Sequence, residues 1–315
     1  MTEWLTERGI GEDRSVLLDG DRIVAARIDL PECLNAGRIE DALLISRTAG
    51  SKRGTARFAN GEEALVDRLP PDAREGATLL LEVTRAAMPE AGRHKLAQAR
   101  PTTAPQGQAA APAGRVVHAF PACDWDELWD EAAHGTVAFA GGSLHFALTP
   151  AMTVIDIDGE LRGRELALVA IPPLAAALPR FDLAGNIGID FPTLEAKADR
   201  RAVDEALAAA LGDWPHERTA MNGFGFVQLV ARLTRPSLLH RIQLGRREAS
   251  ARRLLRRAEA VTEPGALLLT SHPAVQVKLR EDWLTDLARR TGREVRLASD
   301  PRLALSGAFA QAVPR

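Results

Sequence analysis

Two short apolar runs, Thr153-Val-Ile-Asp-Ile-Asp158 and Asn186-Ile-Gly-Ile-Asp-Phe191, constrain the fold of this chain more than any other feature. Each reads as a strand that delivers a carboxylate at its end, and the two lie one helix length apart. Strand, helix and strand in that order give a parallel pair joined by a right-handed crossover. Such a crossover brings the carboxyl ends of both strands to one edge of a sheet, where ligands of open α/β sheets bind. Asp156 and Asp158, two residues apart, share one face of an extended strand, and Asp190 converges on Asp156 from the next strand. Two or three carboxylates completed by water are the usual provision for Mg²⁺ acting on phosphates. The same aspartates would also serve to cap the helices that follow, and the pattern alone leaves both readings open.

A resemblance separates them. The segment Gly141–Asp158, GGSLHFALTPAMTVIDID, resembles the entry to the catalytic domain of the ribonuclease E/G family. The likeness continues in order through Asp182-Leu-Ala-Gly-Asn-Ile-Gly-Ile-Asp190-Phe, Arg201-Ala-Val, Phe224-Gly-Phe and Arg235-Pro-Ser-Leu238, and spans most of residues 116–245. It implies that Asp156 and Asp190 are ligands of a catalytic Mg²⁺, with Mn²⁺ able to substitute. Asp158 stands where the family has an asparagine that holds the site in place. Some positions depart from the family: Gly223 replaces the arginine before Phe224, Gln228 replaces a glutamate, and Leu161-Arg-Gly-Arg164 shortens an Asn-rich helix start.

The implied architecture is a multidomain α+β and α/β protein. Residues 1–35 and 115–145 would form an RNase H-like layer interrupted by an S1-like OB barrel (36–100) and a linker (101–114). A DNase I-like catalytic metal-binding domain (146–245) and a small C-terminal α/β domain (246–315) would follow. The residues themselves support parts of this. Ser15–Ile28 reads as a hairpin turning at Asp19-Gly20. Ile39–Ser46, Gly54–Phe58, Ala64–Val66 and Thr78–Arg85 are short strands at the spacing of a small barrel. Pro101–Gly114 is a Pro/Ala/Gly stretch without periodicity. Trp125 and Trp129 mark the apolar face of a helix, and Glu195–Leu211 is an amphipathic helix stopped by Gly212. The tail reads strand (Ala266–Thr270), helix (Pro273–Thr291) and strand (Glu294–Ala298), with His272 as a helix-entry residue.

The net charge of −2 excludes a general polyanion-coating protein. Charge is nevertheless concentrated between Arg232 and Arg257, where nine arginines face one acid, Glu248. That stretch is either a solvated helix face or a phosphate-attracting surface. Candidate RNA contacts are Lys52, Arg57, Phe58 and Lys95 on the barrel, with Arg53 and Arg93 beside them, and Phe224, Arg232 and Arg235 near the acids. With two cysteines, Cys33 and Cys123, and none near Arg246–Ser250, the Cys-Pro-X-Cys zinc link of the family has no counterpart. A homodimer, where one forms, is then not bridged by zinc. No apolar run spans a bilayer and the N-terminus lacks signal-peptide features, pointing to a cytoplasmic protein without a membrane partner.

The expectation is an Mg²⁺-dependent endoribonuclease cleaving single-stranded RNA in processing or decay, with catalysis by Asp156, Asp190 and Asp158. Its rivals are a non-catalytic RNA-binding relative of the same family and a metal phosphoesterase for small nucleotides. The family's 5′-end sensor has no room in residues 101–114, which implies indifference to the 5′ end of the substrate.

Overall fold

The computed structural model describes residues 2–90, 92–109, 112–121 and 123–314. Strands β1 (Glu3–Arg8), β2 (Asp13–Asp19) and β3 (Arg22–Asp29) form an antiparallel meander. Gly20 turns the β2–β3 hairpin at φ +66°, a conformation that L side chains rarely adopt.

A closed barrel follows. Its strands are β4 (Ile39–Arg47), β5 (Gly54–Phe58), β6 (Glu63–Val66) and β7 (Thr78–Arg85), then, after a small hairpin of β8 (Met88–Glu90) and β9 (Arg93–Lys95), β10 (Ala97–Pro101). Around the barrel the order is β4-β5-β6-β10-β7 and back to β4, with β6 and β10 parallel and the other pairs antiparallel. That order is compatible with an OB-like barrel. Leu34, Leu44, Phe58, Leu69 and Leu81 fill a core belonging to the barrel alone.

The stretch read as a linker is strapped to its surroundings. Gly107 exchanges backbone hydrogen bonds with Ile39 at 2.8 and 2.9 Å, and Gln106 donates to Asp41 at 2.8 Å. Gly114 passes so close to Trp4 that a Cβ there would sit 2.1 Å from the Trp4 carbonyl oxygen. Ala110 and Ala111 lie outside the described residues. Strand β11 (Arg115–Val117) then joins β1 in parallel, so the barrel is an insertion within the first sheet.

Helix α1 (Trp125–His134) leads into a six-stranded sheet with two helices: β12 (Thr136–Phe139), β13 (Gly142–Leu148), β14 (Thr153–Gly159), α2 (Gly163–Arg180), β15 (Gly185–Asp190), α3 (Lys197–Leu211), β16 (Glu217–Arg218) and β17 (Phe226–Ala231). The order is β12-β13-β14-β15-β17-β16, parallel only between β14 and β15. The expected boundary at residues 145/146 therefore falls inside β13, because β12 and β13 hydrogen-bond into the same sheet as β14. Helix α2 packs against β3 of the first sheet and against β12–β14 of the second. Both sheets thus share one core, in which Val16 and Ile23 meet Leu128, Ile155, Leu174 and Ile187. Pro172 and Pro173 remove two backbone donors from the middle of α2, and burial between two sheets keeps it helical across the gap.

A five-residue π-helical turn (His240–Leu244) precedes α4 (Arg246–Glu259), β18 (Ala266–Ser271), α5 (Pro273–Gln276), α6 (Glu281–Thr291), β19 (Val295–Ser299) and β20 (Phe309–Val313). The small sheet runs β19-β18-β20. The helix expected over 273–291 is two helices. Arg280 takes an extended conformation at the break, where it ion-pairs with Asp282 and Glu32. His272 caps α5, its Nδ1 accepting from the Ala274 N–H at 3.0 Å. Among the described residues no helix is long and apolar enough to cross a membrane.

Candidate functional site

Alternation along the central strands decides what faces solvent. Ile155, Ile157, Ile187 and Ile189 enter the core under α2 and α3, so Asp156, Asp158 and Asp190 project from the opposite, uncovered face, where all three are exposed. Asp156 and Asp190 are register partners across the parallel β14–β15 pair. Neighbouring strands lie about 4.8 Å apart, so the two carboxylates share one small patch of surface. Asp158 stands on the same face one pleat further on, and its Oδ1 accepts from the Gly159 N–H at 3.0 Å.

Among the described residues no group of three or more His, Cys, Asp and Glu side chains is gathered closely enough to hold a metal by itself. Two adjacent exposed carboxylates are hard oxygen donors that leave most of a coordination shell to water. That donor set fits Mg²⁺, which dehydrates reluctantly, better than a transition metal held by a full protein cage.

Three further residues shape the patch. His145 on β13 is the antiparallel register partner of Asp156 and shares its face. Its Nε2 lies 2.8 Å from Ser143 Oγ and its Nδ1 3.5 Å from Thr136 Oγ1, so two hydroxyls on the same face steady the ring. Phe226 pairs with Asp190, and its ring reaches across the sheet over Gly188, where a Cβ would sit 2.4 Å from Cζ. Gly188 is thus the floor for that ring. Phe224, two residues earlier in the turn before β17, is 88% exposed and stands at the Asp190 edge, where the Phe191 N–H donates to the Gly225 carbonyl at 3.2 Å.

The other expected RNA contacts do not converge here. Phe58 is 3% exposed in the barrel core, so no base can stack on it; this corrects its assignment. Arg57 is exposed but paired with Glu63 at 2.8 Å, and Lys95 pairs with Glu90. Lys52 is exposed at the barrel surface, and the Arg93 side chain lies outside the described residues. Because β17 runs antiparallel to β15, Arg232 follows the strand at the end away from Asp190. Arg235 lies beyond it, held by Asp182 at 3.3 Å as a tie between segments. The solvated-face reading of α4 fails in part. Arg253 is 7% exposed, lies over the Trp129 ring at 4.1 Å and bonds Asp126 and Asp130 of α1 at 2.6 and 2.7 Å. Burial pushes Asp126 up, but its hydrogen bond and charge pairing with Arg253 win and hold it below the usual carboxylate range.

No family model matches this chain, and no curated protein matches it either.

Proposed function

We propose that the chain is an Mg²⁺-dependent endoribonuclease acting on single-stranded RNA, with the architecture of a compact ribonuclease E/G relative. In this reading the first sheet with α1 is the RNase H-like layer, the barrel is S1-like, and the six-stranded sheet is the DNase I-like catalytic unit. The observation that carries the proposal is the in-register placement of Asp156 and Asp190 on an uncovered sheet face. Asp156 and Asp190 would hold Mg²⁺, which would supply positive charge to offset the phosphate and make a water more acidic. The chain's own residues do the rest. Asp158 orients at the strand end, and Phe224 offers a ring on which an unpaired base stacks. The openness of the face suits a strand passing across it rather than a small enclosed substrate.

A fluorescent single-stranded oligoribonucleotide with and without Mg²⁺ tests this. Cleavage should require the metal and vanish in Asp156→Asn and Asp190→Asn, each of which removes a full charge from the pair while leaving an isosteric side chain on an exposed face. Cleavage that persists in both variants would sink the assignment.

A second reading, a non-catalytic RNA-binding relative, draws on the two-carboxylate limit of the patch and on Gly223 and Gln228. It predicts metal-independent binding of the same oligonucleotide without cleavage at any Mg²⁺ or Mn²⁺ concentration.

A further inference from the structure

Away from the aspartate pair, a cavity of about 370 Å³ lies where the barrel meets the turn before α4. Its walls are mixed: Leu30, Leu34, Pro89, Pro236 and Leu244 supply apolar surface, and the carboxylates of Glu62 and Glu248 also line it. Two guanidiniums line it, Arg241 from the π-helical turn and Arg252 from α4. Among the described residues neither has a carboxylate within ion-pair distance or a side-chain hydrogen bond, and the Nε of each is buried without an acceptor.

The acids nearby are engaged elsewhere. Asp29 pairs with Arg27, Asp182 with Arg235 and Glu248 with Lys278, while Glu62 accepts from the Leu34 N–H and the Asn60 amide. The histidine beside Arg241, His240, is pulled by burial down to about 4 and is neutral at physiological pH. Cys33, pushed by burial up to about 11, stays a thiol. Neither arginine is ion-paired among the described residues, and the acids that act on them, Glu62 and Glu248 in the lining and Asp29 and Asp182 on Arg241, do so without direct contact.

The lining also holds an orphan acceptor. Asn35 is 8% exposed, and its amide nitrogen donates to the Leu30 and Cys33 carbonyls at 2.8 and 3.4 Å, leaving Oδ1 buried without a donor. A half-buried cation with no paired acid and a buried unpaired acceptor both oppose folding. Together in one cavity of small-molecule size they complement a single class of ligand: a phosphate on a flat body that packs on the apolar part of the lining and carries hydrogen-bond donors for Asn35 and the lining carboxylates.

We propose that this cavity binds a free nucleoside monophosphate, its phosphate on Arg241 and Arg252 and a donor of its base or sugar on Asn35 Oδ1. The proposal does not depend on nuclease activity. Isothermal titration and thermal shift on the full chain, with the four nucleoside 5′-monophosphates, their nucleosides and inorganic phosphate, test it. At least one nucleotide should bind saturably at submillimolar concentration and raise the melting temperature, and its nucleoside should bind at least tenfold more weakly. Arg241→Met should lose at least tenfold in affinity while the ligand-free variant melts no lower than the parent, because it sheds a half-buried charge with no paired acid. Arg252→Gln should also weaken binding. No saturable binding by any of the four, or undiminished binding by Arg241→Met, would overturn the proposal, as would a lower melting temperature of that variant without ligand. A 5′-phosphorylated oligoribonucleotide that displaces the nucleotide equally well would reassign the cavity to RNA ends and overturn it as a small-molecule site.

Discussion

His145 stands beside Asp156 on the uncovered face, within reach of anything bound to the carboxylate pair. A histidine at that distance can exchange a proton with a phosphodiester oxygen, a contribution of about 10²-fold or more in rate. His145→Ala should therefore slow cleavage by about that factor without loosening metal binding, and an unchanged rate would remove the histidine from the site. Its position was legible in the alternation of Ser143-Leu-His145-Phe, which puts the ring on the polar face, but only the pairing of β13 with β14 sets it against an aspartate. Phe58 shows the opposite failure. Its strand alternates Ala56 in, Arg57 out, Phe58 in, and that period outweighs the fitness of an aromatic ring for stacking. A third residue titrates with the fold. His240 has an ordinary value near 6.5 when unfolded and is pulled by burial to about 4 in the folded chain. The unfolded state thus takes up the proton first as pH falls. The stability held by the neutral ring is complete above about pH 6.5 and is lost as pH drops towards 4, by up to about 3 kcal/mol. His240→Asn, which can keep the hydrogen bond to Ser237, should flatten the melting temperature across that window, whereas an equally steep profile would place the titration elsewhere.

Among the elements, the β16–β17 hairpin sets the character of the site. Gly223, just before the exposed Phe224, has no heavy atom within 4 Å of where a Cβ would be, and its φ is not in the left-handed region. An arginine fits there without strain and would stand at the Asp190 edge, so Gly223→Arg should tighten single-stranded RNA binding several-fold and steepen its salt dependence by about one phosphate contact. Unaltered affinity and salt slope would show that RNA does not cross this edge. Phe226–Ala231 is a strand that the sequence reading did not assign, and nothing local says whether such a strand joins β15 parallel or antiparallel. That direction sends Arg232 and Arg235 to the far end of the sheet. The arginines of α4 stay ambiguous in the sequence for a related reason. Amphipathic spacing identifies Leu254, Leu255 and Ala258 as buried but cannot see that acids on α1, over 120 residues earlier, reach across to Arg253.

At the scale of the molecule, helix α4 begins at Arg246, next to the π-helical turn, at the point where the ribonuclease E/G resemblance would put a zinc link. Cys33 and Cys123 are free, and both thiols are pushed up by burial, which disfavours the thiolate that zinc requires. Size-exclusion elution should be the same before and after treatment with EDTA, and stoichiometric zinc in the purified protein would contradict this. The short strands of the barrel were legible because turns mark them, whereas the sharing of one core by both sheets was not, since it depends on α2 lying between them. The insertion of the barrel within the first sheet has a consequence for biosynthesis. The barrel closes on residues confined to 34–99, so it can fold as soon as it leaves the ribosome. The amino-terminal meander, made earlier, must wait for α1 and α2 to cover Val16 and Ile23, roughly 10–30 s at ordinary translation rates. For that interval the meander, made before the barrel, keeps the apolar face of Val16 and Ile23 open to solvent.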